Sequence, residues 1–264
     1  MHVDLKTAAG TIRAFTGGKP FDPALPTVVF LHGAGMDHTA WTLHARWFAH
    51  HGRGVLALDL PGHGASGSPA AATIGGYAEA VIQALDAAGA AKATLIGHSL
   101  GSLIALEVAV RQPGRVRSLG LVGAAAKIPV NPALIEAARA NLPAAVTMIV
   151  GWSFGPHATG GASPSPGLSL TGLARQVLLR SRPGTLHADL TACAGYDAGL
   201  ESGNRIWCPT VLVIGEHDRM TSAECGRKLA QAIPGATVAE LSGIGHMLPL
   251  EAPDAVLEAL ATVA

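Results

Sequence analysis

Charge is scarce in this chain. Only 14% of its 264 residues are Asp, Glu, Lys or Arg, and the two signs cancel. It has neither a basic run nor an acidic tail. A dedicated electrostatic partner, nucleic acid or an anionic membrane surface, is therefore not expected. Aromatic residues make up 4%, too few for a base-stacking surface. Cysteine is as sparse: Cys193, Cys208 and Cys225 form no C-x-x-C pair, so no disulfide framework is available and a reducing compartment is expected. The most apolar segment, Leu142 to Trp152, is about half of what spans a bilayer. Met1-His2-Val3-Asp4-Leu5-Lys6 lacks the basic and apolar stretches of a signal peptide. Together these absences predict a cytoplasmic protein. What remains is apolar: 49% of the residues, enough for one large α/β unit with an insertion.

One stretch organises the rest. Ala93 to Ile96 is an apolar run of strand type, and Leu100 onward has the spacing of a buried helix. Between them lies Gly97-His98-Ser99-Leu100-Gly101, which fits G-x-S-x-G. A chain with 33 glycines produces glycine pairs by chance; the strand before and the helix after are what give this string meaning. In that setting a tight turn lifts the serine hydroxyl clear of a sheet. Side chains two positions either side of Ser99 would collide with neighbouring backbone, so glycine is required there. The helix start then directs N–H groups toward the serine, where an acyl-transfer reaction develops negative charge.

The flanking chain alternates strands and helices. Residues 2–16 read as an antiparallel hairpin, and Thr27 to Leu31 as a strand buried on both faces. That strand empties into His32-Gly33-Ala34-Gly35, whose Ala34 N–H pairs with the Leu100 N–H as oxyanion donors in an acyl-transfer reading. A helix is expected over Thr39 to His51, with Trp41 and Trp47 packing into the core. Val55 to Leu58 is the next strand, ending at Asp59-Leu60-Pro61-Gly62-His63-Gly64-Ala65-Ser66; His63 is read as tying that turn together. Thr73 caps a helix to Ala88. Val116 to Val122 is a further strand. Such alternation implies a parallel sheet with helices on both faces.

From Ala124 to Leu186 the rhythm breaks. Helices are expected over Asn131–Asn141, Ala144–Trp152 and Gly172–Ser181, with Pro143 separating the first two and a flexible loop at Gly155–Gly167. This stretch is read as a helical cap, 124–186, inserted into a core made of 1–123 and 187–264. A helix over Leu186–Tyr196 leads back to the core. Thr210 to Ile214 and Thr237 to Leu241 are the last strands, with helices at Ser222–Ile233 and Pro253–Val263.

A serine hydroxyl needs a base, and the base an orienting carboxylate. With 12 histidines present, position must discriminate. His246 follows the last strand, Asp218 follows the strand before it, and both belong on the sheet edge that carries Ser99. The order Ser99, Asp218, His246 suits the motif. His98, His32 and His217 are poorer bases, Glu216 is the rival acid, and Val122 to Ala126 offers no carboxylate. Candidate pocket residues are His32, Met148, Trp152, Phe154 and Met247.

Taken together, His32 to Gly35, Asp59 to Ser66, Gly97 to Gly101, Gly215 to Asp218 and Gly245-His246 resemble the α/β-hydrolase fold superfamily, of the small capped kind. The resemblance implies an eight-stranded, mostly parallel sheet flanked by helices, with the cap inserted after strand 6. It also implies hydrolysis without cofactor or metal, with Ser99 as nucleophile, His246 as base, Asp218 as its partner, and Ala34 and Leu100 as backbone donors. The substrate expected is a small carboxylic ester, lactone or thioester. Alternatives are a carbon–carbon hydrolase, with Arg175, Arg180 or Arg182 meeting a substrate carboxylate, an acyltransferase, and a ligand-binding protein without catalysis. An aspartate nucleophile, as in relatives that open epoxides or remove halides, is not available, since Ser99 stands in its place.

Overall fold

In the computed structural model, which describes residues 1–8, 10–67, 69–159 and 168–264, eight strands form one sheet. In chain order they are β1 (His2–Thr7), β2 (Gly10–Phe15), β3 (Thr27–Leu31), β4 (Gly54–Leu58), β5 (Ala93–His98), β6 (Val116–Val122), β7 (Thr210–Gly215) and β8 (Thr237–Leu241). They lie side by side as β1-β2-β4-β3-β5-β6-β7-β8. The β1–β2 hairpin is antiparallel, β2 joins β4 antiparallel, and every pairing from β4 to β8 is parallel. Every residue of β3, β4, β5 and β7 is buried. Helices on both sheet faces account for that, and it is why these strands read as unbroken apolar runs.

The helices are α1 (Thr42–His50), α2 (Ile74–Ala87), α3 (Leu100–Arg111), α4 (Pro132–Ala140), α5 (Leu142–Ser153), α6 (Pro156–Thr159), α7 (Leu170–Leu179), α8 (Thr185–Ala194), α9 (Gly199–Gly203), α10 (Ala223–Ala232), α11 (Leu248–Glu251) and α12 (Pro253–Ala261). One apolar cluster packs α2 and α3 on the sheet through Tyr77, Leu85, Leu103 and Leu106. The other packs α1 and α12 on the opposite face through Phe48 and Leu260, and continues into α5 and α7 through Val146, Ile149 and Leu178. The helices between β6 and β7 therefore share the main core. No helix among the described residues is long and apolar enough to cross a membrane.

Local chemistry explains where elements begin. The Thr73 side chain accepts from the Gly76 N–H and starts α2, as expected. The helix expected over Thr39–His51 opens instead as a 3-10 turn, His38–Trp41, capped by Asp37, and becomes α-helical at Thr42. Trp41 is core, its indole N–H donating to the Leu31 carbonyl at 3.1 Å. Pro143 does not delay α5 to Ala144. It sits in the first turn, where a missing N–H costs nothing, and Asn141 caps the helix by accepting from the Ala144 N–H. Of the loop expected over Gly155–Gly167, residues 156–159 form α6, and 160–167 lie outside the described residues.

Candidate active site

Ser99 sits between β5 and α3 with φ 54° and ψ −115°, the sole non-glycine residue at positive φ among those described. Such a backbone costs roughly 1–3 kcal/mol and persists only where its surroundings dictate it. Here they do. A methyl group on Gly97 would overlap the Gly101 carbonyl, and one on Gly101 would overlap the Leu31 carbonyl. The Ser99 N–H donates to the Val122 carbonyl at 2.9 Å. The Ser102 hydroxyl lies 2.8 Å from the Gly97 carbonyl and 3.0 Å from that of Val122. Strand β6 thus clamps the turn.

β3 is the direct neighbour of β5, with Leu31 opposite Gly97. This order brings the loop after β3 beside Ser99, a placement that sequence could not supply. Ala34 and Ser99 share one cavity wall. The N–H groups of Ala34 and Leu100 have no hydrogen-bond partner among the described residues, as the first turn of α3 requires for Leu100.

His246 and Asp218 are both buried, and the imidazole Nδ1–H donates to Asp218 Oδ2 at 2.7 Å. The carboxylate also accepts from the backbone N–H of Met220 at 2.8 Å, from that of Thr221 at 2.7 Å, and from the Thr221 hydroxyl at 2.7 Å. Burial pushes this carboxyl upward, but the adjacent His246 and those donors outweigh it and hold it below its usual range. A methyl group on Gly123 would lie 3.3 Å from the His246 ring. The imidazole therefore rests on the turn after β6, beside the Ser99 backbone. The loop carrying His246 is tied twice to α5, since the His246 and Met247 N–H groups donate to the Ser153 carbonyl at 2.6 and 3.1 Å.

The competing histidines have structural partners. His98 donates from Nε2 to the His246 carbonyl at 2.8 Å, and burial lowers its pKa to about 3. His32 donates from Nδ1 to the Gly33 carbonyl at 2.9 Å and accepts the Leu60 N–H on Nε2 at 3.1 Å. Burial, then the nearby His63, holds it near 4, so it is a neutral brace between two loops. Glu216, the rival acid, is exposed and accepts from the Ser242 hydroxyl and the Gly243 N–H.

Sequence reasoning missed Asp189. It is fully buried on α8 and accepts from the Gly35 N–H at 2.8 Å, from His63 Nε2 at 2.8 Å and from the Tyr77 hydroxyl. One carboxylate thereby holds the Ala34 loop, the turn after β4 and α2. A signal existed: Asp189 shares a helical face with Leu186, Leu190 and Cys193, a carboxylate on an apolar stripe.

The cavity at Ser99 has a volume of about 290 Å³. Ile128, Pro129, Val130, Leu134, Trp152 and Leu190 form its apolar wall, and Asn131, Cys193, Arg219 and Met220 the remainder. Of the candidate pocket residues only Trp152 is in this wall. Phe154 and Met247 are buried in the core, Met148 packs half-buried against it, and His32 braces loops behind it. Arg175, Arg180 and Arg182 lie elsewhere, bonded to Thr147, Asp37 and Gly64. Burial, then the charge of Asp189, keeps the Cys193 thiol well above its ordinary range, so it is no nucleophile. No His, Cys, Asp and Glu grouping among the described residues could hold a metal ion.

The model of the alpha/beta hydrolase family matches residues 28–259. A pimeloyl-[acyl-carrier protein] methyl ester esterase from Chromobacterium violaceum is 32% identical over 235 residues, covering 84% of this chain and 87% of that protein. An (E)-2-((N-methylformamido)methylene)succinate hydrolase from Acinetobacter baylyi is 26% identical, covering 88% of both. Among solved structures, the enol-lactonase from Burkholderia xenovorans LB400 superposes with a TM-score of 0.87 over 99% of each chain at 22% identity, a likeness of fold.

Proposed function

Since this chain belongs to the alpha/beta hydrolase family, we propose that it is a serine hydrolase cleaving a carboxylic ester, or a related lactone or thioester, through an acyl-serine. The observation that carries this reading is the buried His246–Asp218 hydrogen bond beside the strained turn that presents Ser99. His246 takes the Ser99 proton as the hydroxyl attacks the carbonyl carbon. Asp218 keeps the proton on Nδ1, leaving Nε2 as the base, and stabilises the imidazolium that forms. The Ala34 and Leu100 N–H groups meet the developing oxyanion; one such donor is typically worth roughly 10²–10³ in rate. The alcohol departs with a proton from the imidazolium. Water, deprotonated by His246, then releases the acid. In this reading 124–186 is the cap, supported by the Leu134 and Trp152 side chains over the cavity. The methyl ester esterase among the relatives favours a small ester.

Initial rates on p-nitrophenyl esters from acetate upward test this. Turnover by the wild type and loss of at least roughly 10³-fold in Ser99→Ala are expected. Activity retained in Ser99→Ala, or no labelling of Ser99 by a fluorophosphonate, would remove the acyl-serine.

A further inference from the structure

Among the described residues, the wall of the cavity at Ser99 contains a single charged side chain, Arg219, and no Asp or Glu. The neighbouring Asp218 is enclosed by His246 and Thr221. Six of the 13 arginines, Arg13, Arg111, Arg115, Arg139, Arg180 and Arg227, have acidic partners. Arg219 has neither an ion pair nor a hydrogen bond among the described residues, and it is exposed. Its backbone is nonetheless fixed, because the N–H groups of Met220 and Thr221 are held on the Asp218 carboxylate. The carboxylate that orients His246 thus also sets where the guanidinium starts. A second donor shares the wall. Asn131 spends its side-chain oxygen on the Ala133 N–H at 2.9 Å, and its amide N–H₂ has no partner among the described residues.

A neutral ester offers a guanidinium only an uncharged carbonyl acceptor. A carboxylate matches it, since the planar guanidinium offers two parallel N–H donors to two oxygens. One cation with no second positive group in the wall suits a singly charged anion better than a phosphate. Resting on the serine-hydrolase reading above, we propose that Arg219 is a specificity-determining residue and that the substrate is an ester bearing a free carboxylate, a half-ester of a dicarboxylic acid or a lactone acid. The carboxylate lies on Arg219, with the Asn131 amide beside it, while the ester carbonyl lies at Ser99.

Two measurements test this. In the first, Ser99→Ala protein is titrated calorimetrically with the monomethyl esters of succinate, glutarate and adipate and with the corresponding dimethyl esters. At least one half-ester is expected to bind more tightly than its diester. Its affinity should fall roughly 10- to 100-fold in Ser99→Ala/Arg219→Gln, and Lys at 219 should recover part of it. No binding by any half-ester, or equal binding with Gln at 219, overturns the proposal. In the second, the ratio of kcat/KM for half-ester over diester is compared between wild type and Arg219→Gln. A ratio that drops mainly through KM supports the assignment, and an unchanged ratio overturns it. Serine-dependent turnover of p-nitrophenyl acetate reports separately on the serine-hydrolase reading. Turnover without half-ester preference sinks only the role of Arg219.

Discussion

Ser99 holds a backbone conformation in which only glycine is at ease. Replacing it with glycine should therefore relieve strain that alanine cannot. Ser99→Gly is expected to raise unfolding stability by about 1 kcal/mol over Ser99→Ala in urea titrations, both variants being inactive. Gly97→Ala should do the opposite. Its methyl group meets backbone that cannot step aside, and a loss of about 3 kcal/mol or more is expected in the same assay. Asp189→Ala strips partners from His63, Tyr77 and Gly35 at once. A buried pair broken on one side costs about 3–5 kcal/mol, and loss of the Gly35 clamp should lower kcat as the Ala34 loop loosens. At this scale the reading from sequence was uneven. The tight turn at Ser99 and the Asp218–His246 hydrogen bond were legible, because motif, spacing and strand ends all point to one edge. The cavity wall was not. Ile128 to Asn131 precede a helix in a segment without periodicity, and Met148, chosen for its apolar type, packs half-buried against the core instead.

Elements were legible where a run was long or a cap strong. The buried strands β3, β4, β5 and β7 follow from apolar runs, and the Thr73 cap from its residue type. Short pieces escaped: α9 and α11 are each at most five residues, less than the window in which a helical period shows. The side-by-side order of the strands was beyond reach, since β3 and β5 meet across 61 intervening residues. Helices α4 and α5 share one residue. Asn141 ends the first, its N–H donating to Ala137, and its side chain starts the second. Asn141→Ala should cost about 1 kcal/mol, read as a shift in the urea midpoint. Asn141→Asp should keep most of it, because a carboxylate also caps.

The whole molecule carries a liability toward acid. Burial holds His32 and His44 at about 4 and His98 at about 3, so the native protein keeps all three neutral. Unfolded imidazoles bind protons from about pH 6.5 downward. Between these values the unfolded chain takes up protons that the native state refuses, and stability falls as pH falls. The shift at His44 alone, from 6.5 to about 4, corresponds to about 3 kcal/mol at pH 4. His63 acts the other way. The Asp189 carboxylate outweighs burial and raises it, so its contribution is full below about pH 6.5 and is lost as pH climbs through the raised value. His38, raised by its bond to Asp59, acts with His63, and His2 is lowered with the other three; the large shifts at His32, His44 and His98 predict a melting temperature that drops from pH 7 to pH 4. His44→Gln should flatten part of that slope in a thermal scan across buffers. A slope unchanged by the substitution would place the acid sensitivity elsewhere.

The two N–H groups that His246 and Met247 give to the Ser153 carbonyl bear on redesign. The helices after β6 look exchangeable, a cassette to be swapped for another preference. Yet the last carbonyl of α5 grips the loop that carries His246. A grafted lid that misplaces that one oxygen would move the imidazole with it. Chimeras cut at the outer ends of the insertion are thus expected to lose turnover along with selectivity, while exchanges stopping before Ser153 keep the machinery and alter only what it accepts.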